Sequence, residues 1–134
     1  MGCRRVIVLD THAWVWYVDD PSQFAPKTLA SIEASMAKGT VYVSSISIWE
    51  ILMLESKSRL KFGVPADVWL DRCDATGLFN YVPVANAISR LAVSLGLHGD
   101  PADRFIAATA VYLGATLVTK DRRLRASRKI TTLW

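Results

Sequence analysis

An α/β domain, with a mostly parallel central sheet and helices on both faces, is the fold class this sequence predicts. Three observations carry that expectation. Short apolar runs such as residues 6–9 and 41–43 read as buried strands. Longer stretches with apolar residues three and four apart separate them, so strand and helix patterns alternate along the chain. No linker, internal repeat or low-complexity segment interrupts the alternation, so residues 1–134 are expected to form one domain.

The elements follow in order. Residues 4–9 form a first strand around Val6-Ile7-Val8-Leu9, ending at Asp10, and Thr11 is the expected cap of a helix that runs through Val18. Asp19-Asp20-Pro21 stops that helix. Residues 26–37 predict a second helix with Leu29, Ile32 and Met36 on one face and Gly39 after its end. Residues 41–43 give a second strand, and residues 44–58 turn helical, with Ile46, Trp49, Met53 and Leu54 as expected core contacts. A fourth helix spans residues 65–76, with Val68 and Trp69 apolar and Gly77 closing it. Residues 81–84 read as a third strand and residues 85–95 as a fifth helix, ending at Gly96. The next helix opens with Asp100 before Pro101 and carries Ile106, Ala107, Ala110 and Leu113 at helical spacing. Residues 115–119 are a fourth strand, and residues 130–134 offer a short last one.

Composition narrows the class. Of 134 residues, 51% are hydrophobic and 21% charged, as in globular proteins with a real core. No apolar run reaches the roughly 18 residues that a membrane span needs, and the start carries neither a signal-peptide nor a myristoylation pattern. Cys3 and Cys73 lie far apart and make no metal-spacing motif, so a reduced, cytoplasmic setting without membrane association is expected. The net charge of +4 hints at a polyanionic partner. Lys120, Arg122, Arg123, Arg125, Arg128 and Lys129 crowd into the last fifteen residues, against a background in which solvated charge runs are common.

Four carboxylates stand out. Asp103 shares a helix side with Ile106, Ala107 and Ala110, so it points inward, where a lone carboxylate is costly. Asp10 ends the first strand, Asp121 follows the fourth, and Glu50 lies one to two turns into the helix after the second. In a parallel sheet those positions meet at the rim outside the strands' carboxyl ends. Each also has a structural reading: Ser47-x-x-Glu50 matches a capping box, Asp100-x-x-Asp103 loosely resembles one, Asp10 can cap a helix, and Asp121 can begin a turn. Together they are harder to dismiss. Two unit charges about 4 Å apart repel by roughly 4 kcal/mol at an effective dielectric near 20, and a bound divalent ion removes that penalty. With oxygen ligands alone, Mg²⁺ or Mn²⁺ is favoured over Zn²⁺.

Four blocks carry a family resemblance. They are Asp10-Thr11-His12-Ala13-Trp14, residues 44–51 (SSISIWEI), residues 98–110 (HGDPADRFIAATA), and Leu117-Val118-Thr119-Lys120-Asp121. In this order, over essentially the full chain, the sequence resembles PIN domains of the VapC type, the toxin half of bacterial and archaeal toxin–antitoxin pairs. Ala102 stands where a phenylalanine is frequent in that subgroup. The resemblance implies a metal-dependent endoribonuclease in which Asp10, Glu50 and Asp103 are the near-invariant acids and Asp121 the more variable fourth. Asp100 matches a further frequent metal-site acid but ranks below them, because capping before Pro101 is already a sufficient role. Water activated by Mg²⁺ or Mn²⁺ would hydrolyse RNA phosphodiesters, with Thr11 in possible support. The resemblance also implies a VapB-like antitoxin seated in a hydrophobic groove near the early helices, and a homodimer.

Lys120, Arg122, Arg123 and Arg104 are the expected contacts to the RNA backbone. His12 and His98 are given no catalytic role, since metal-activated water does not need them. Trp14, Trp16 and Tyr17 cannot all face inward from one short helix, which leaves part of that surface for a partner or an unstacked base; Trp49 and Trp69 read as core or interface anchors. Two alternatives remain at this point. A receiver-like signalling module would use Asp10 and Lys120 but leaves Glu50 and Asp103 without a job. A catalytically inactive PIN-type binding module would keep the fold without the chemistry.

Overall fold

The computed structural model describes residues 5–134, so Cys3 and the predicted strand start at Arg4 lie outside the described residues. Five strands form one sheet: β1 (Ile7–Leu9), β2 (Val41–Ser44), β3 (Asn80–Val82), β4 (Thr116–Val118) and β5 (Thr132–Leu133). Their order is β3-β2-β1-β4-β5 and every pairing is parallel. Seven α-helices connect and cover them: α1 (Thr11–Asp19), α2 (Pro26–Ala37), α3 (Ser45–Ser56), α4 (Ala66–Thr76), α5 (Asn86–Ser94), α6 (Pro101–Leu113) and α7 (Arg122–Ala126). Among the described residues no helix is long and apolar enough to cross a membrane.

Alternation along each strand divides the core between the two faces. Ile7, Leu9, Val41, Val43 and Val118 point to one side, where they meet Trp14, Ile32, Ile51, Trp69 and Phe79. Trp14 is fully buried there, with Trp69, Phe79 and Tyr81 at ring-centroid distances of 5.1, 5.9 and 5.9 Å. Val8 and Leu117 point to the other side, onto Ile106, Ala107 and Ala110 of α6. The run of alanines lets α6 lie close against β1, β2 and β4. Cys73 is a buried free thiol whose pKa burial pushes up to about 12.

Several local expectations are corrected. Asp10, not Thr11, is the N-cap of α1, and Thr11 is its first helical residue. Ser44 caps α3 by accepting from Ile46 N, so Ser47-x-x-Glu50 is no capping box; both side chains are buried further along the helix. Trp49 is 52% exposed rather than in the core, because the side of α3 turned inward presents Ser47, Glu50 and Ile51. Val68 is likewise exposed, while Trp69 is buried. The third strand begins one residue earlier than expected and stops before Pro83, which cannot donate to the ladder. A short 3-10 helix (Pro21–Gln23) and α7 are additions, both too brief to show a helical period.

Candidate active site

The parallel register assembles the site. Leu9 lies opposite Val43 and Val118, so the next residues, Asp10, Ser44 and Thr119, emerge level at one edge of the sheet. Asp10 there closes α1, its Oδ1 accepting from Ala13 N at 2.8 Å. Thr119 is fully buried beside it, and its Oγ1 accepts from Asp121 N at 3.1 Å. Asp121 in turn caps α7, accepting from Arg123 N at 2.8 Å and Leu124 N at 3.3 Å. From the other flank, Asp100 caps α6 through Ala102 N at 2.9 Å, and Asp103 follows in the first turn. Glu50 is buried on α3.

These acids share one cavity of about 670 Å³. Asp10, Glu50, Asp100, Asp103 and Asp121 all line it, with His12, Trp16, Leu54, Arg59 and Lys120 completing the wall. Behind the acids, the Thr11 hydroxyl, next to Asp10 in the chain, donates to Ser47 Oγ at 2.9 Å in a buried contact. Crowded carboxylates in a partly dry cavity resist ionisation. Burial raises the Asp10 pKa, with Thr119 and the Ala13 N–H pulling it back. Burial also raises that of Glu50, opposed chiefly by the nearby Thr11 hydroxyl. Asp103 is pushed up to about 7, first by burial and then by the charges of Glu50, Asp121, Asp100 and Asp10. The charge of His12 works the other way on Asp10 and Glu50, and Arg59 and Lys120 stand in the same wall.

Among the described residues, the side chains as they stand make no group of three or more His, Cys, Asp or Glu that could hold an ion directly. The donor set nevertheless suits one class of ion. Five carboxylates, no thiolate and one imidazole favour a hard divalent cation. Mg²⁺ keeps several of its waters and takes one or two carboxylates directly, so a roomy cavity walled by mutually repelling carboxylates fits it.

The predicted basic residues separate into two places. Lys120 lies at the acid cavity, its Nζ 5.8 Å from the Trp16 ring centre and 5.9 Å from that of Trp134. Arg104, Arg122 and Arg123 line a neighbouring cavity instead. Thr119, Arg59 and Trp134 carry no site role in the sequence analysis, and Ser47 enters it only as a capping-box residue. Thr119 had a signal, standing between the strand and Asp121; Arg59 had none, since it comes from the loop after α3. Of the α1 aromatics, Trp14 is core, whereas Trp16 and Tyr17 are half-buried; Trp16 packs on Trp134 at 5.4 Å and Val18 is exposed. On the side of α1 remote from the acids, a second cavity of about 500 Å³ opens among Tyr17, Phe62, Trp69, Leu78 and Phe79.

Residues 7–129 match the PIN domain family. The chain is 32% identical over 130 residues to Ribonuclease VapC22 of Mycobacterium tuberculosis, covering 96% of this chain and 98% of that protein. Among solved structures, it resembles the DNA-bound VapBC from Salmonella typhimurium at a TM-score of 0.70 and 16% identity, over 96% of this chain and 97% of that one. VapBC2 from Rickettsia felis, bound to a promoter DNA fragment, gives 0.68 and 21% over the same shares. FitAcB from Neisseria gonorrhoeae gives 0.66 and 21% over 96% of each chain. These structures share the fold.

Proposed function

The chain belongs to the PIN-domain family, and from that premise we propose that it is a Mg²⁺- or Mn²⁺-dependent endoribonuclease, the toxin of a type II toxin–antitoxin pair. The observation that carries the reading is the gathering of Asp10, Glu50, Asp103 and Asp121 in one cavity, where burial and mutual repulsion push the Asp103 pKa up to about 7. These four are the assigned acids, with Asp100 in reserve because its carboxylate already caps α6. A divalent ion bound among them supplies the charge that readies water and offsets the developing negative charge at phosphorus and at the leaving 3′ oxygen. The chain's own residues do the rest. Asp10 and Asp121 are held in place by the helix ends they cap, so their carboxylates are oriented before substrate arrives. Thr11 and Ser47 are joined behind the acids. Asp103 gives up a proton when it takes up positive charge. Lys120 stands at the mouth, where an RNA backbone must pass. No side-chain nucleophile is required, and the products carry 5′-phosphate and 3′-hydroxyl ends.

Family membership supports a VapB-like antitoxin as partner, and the apolar cavity by Tyr17, Phe62 and Trp69 is its proposed seat. A homodimer in the cytoplasm completes the proposal. A receiver-like role is disfavoured: Glu50 and Asp103 share the cavity with Asp10, and Lys120 lies over Trp16 and Trp134.

Incubating the purified protein with mixed cellular RNA, with Mn²⁺ or with EDTA, tests the reading. Cleavage with Mn²⁺ alone is expected, lost by about 100-fold or more in Asp103→Asn. Binding of RNA with no cleavage under Mn²⁺ would instead favour the inactive binding module.

A further inference from the structure

The smaller cavity beside the acids, about 350 Å³, has a wall in common with them: Asp100, Asp103 and Asp121 line both. Its opposite side is basic, formed by Arg104, Arg122 and Arg123. Arg104, which also borders a small pocket beside Pro101 and Phe105, has a buried Nε that, among the described residues, lacks a hydrogen-bond partner. A guanidinium offers five N–H donors and no acceptor, so a buried, unanswered N–H beside an open cavity calls for an anion. The neighbouring acids do not supply it. One oxygen each of Asp100 and Asp121 is committed to a helix cap. Gly99 shapes the same cavity. Its φ of +116° favours glycine, and a Cβ there would come within 3.1 Å of Arg123 Nη1, so the guanidinium lies close against the loop.

We propose that this cavity seats an RNA phosphate one linkage away from the phosphate on which the acids act, with Arg104 as the inner donor and Arg122 and Arg123 as the rim. The assignment rests on the ribonuclease reading and deepens it. A phosphodiester accepts two parallel N–H bonds from an arginine fork, which a chloride does not. The shared wall explains why the bound phosphate belongs to a chain: a strand leaving the acid cavity past Asp103 enters this one next.

The test uses ¹⁵N-labelled full-length protein in EDTA, so that nothing is cut. A mixed-sequence single-stranded RNA hexamer is titrated in, and the arginine Nε–Hε resonances are followed. The Arg104 resonance is expected to shift and saturate with RNA. Inorganic phosphate at the same phosphate concentration should leave it nearly unmoved; an equal response to both would make this a free-anion site and overturn the proposal. A motionless Arg104 resonance while RNA binds would overturn it as well. In parallel, RNA affinity is measured by fluorescence anisotropy across a salt series. Arg104→Met should lower the slope of log affinity against log salt by about 0.7, the value for one phosphate contact on a single strand. Arg123→Gln, at the exposed rim, keeps the measurement available if Arg104→Met fails to fold, and unchanged slopes in the folded variants would sink the idea. Mn²⁺-dependent cleavage with unchanged slopes would remove the pocket and leave the ribonuclease reading intact. Loss of cleavage in the wild type, with the Arg104 shift present, would remove the reading and leave an RNA phosphate site.

Discussion

Asp103 bears more like-charge repulsion than its neighbours, being raised by four other carboxylates as well as by burial. Its titration therefore links pH to both stability and ion binding. The unfolded chain releases this proton near its ordinary value of 3.8, whereas the folded chain holds it to about 7. Between those values the native state binds more protons, so the stability of the ion-free protein falls as pH rises and levels off above about 7. Asp103→Asn removes the burden. In EDTA at about pH 8 its urea unfolding should show a gain of roughly 1 kcal/mol, after discounting for solvent screening of a half-exposed group. Near pH 4 the gain should vanish; a variant less stable than wild type at pH 8 would contradict the electrostatic account. Ion binding has the opposite sign. Because Asp103 must lose its proton to accept a cation, Mn²⁺ affinity should climb by about tenfold per pH unit below 7 and flatten above it. Calorimetry in two buffers of different ionisation enthalpy reads the released proton directly, and an affinity indifferent to pH in that range would exclude Asp103 as a ligand.

Helix ends do double duty in this fold, and substitutions can separate the two tasks. Asp100→Ala should cost about 1 kcal/mol in thermal or urea denaturation through loss of the α6 cap, whereas Asp100→Asn should be nearly neutral because Asn caps as well. If cleavage by Asp100→Asn falls as far as by Asp103→Asn, the ranking of Asp100 behind the other acids is wrong. Boundaries of this kind were legible because Pro26, Gly77 and Pro101 sit where helices begin or end, and those residue types say so without tertiary help. The orientation of α3 was not legible. Residues 48–54 are apolar but for Glu50, so periodicity cannot choose a buried side. Turning Ser47 and Glu50 inward left Trp49 in solvent, against the usual preference of tryptophan. Trp49→Gln should accordingly alter the free energy of urea unfolding by no more than about 0.5 kcal/mol, while Trp14→Ala should destabilise by about 3–5 kcal/mol. Comparable losses in the two variants would refute this account of the core.

For the molecule as a whole, the acid cavity was readable because parallel strands deliver their carboxyl ends to one rim whatever the connecting loops do. The arginine cavity was not, since it depends on how the 96–100 loop lies against α7, a matter of tertiary contact that neither composition nor spacing encodes. The sheet order also sets when the chemistry becomes possible. β1 stands in the middle, but its neighbour β4 and the helix carrying Asp103 come from the final third of the chain. During translation the amino-terminal part emerges first, so a nascent chain displays Asp10 and Glu50 while Asp103 and Asp121 are still unmade. A version truncated after Gly99 should show no Mn²⁺ binding by calorimetry, and retained binding would break this link between topology and timing. The acid cavity is thus completed only once α6 and β4 have joined a central strand made long before them, so its chemistry is gated by the chain's own growth.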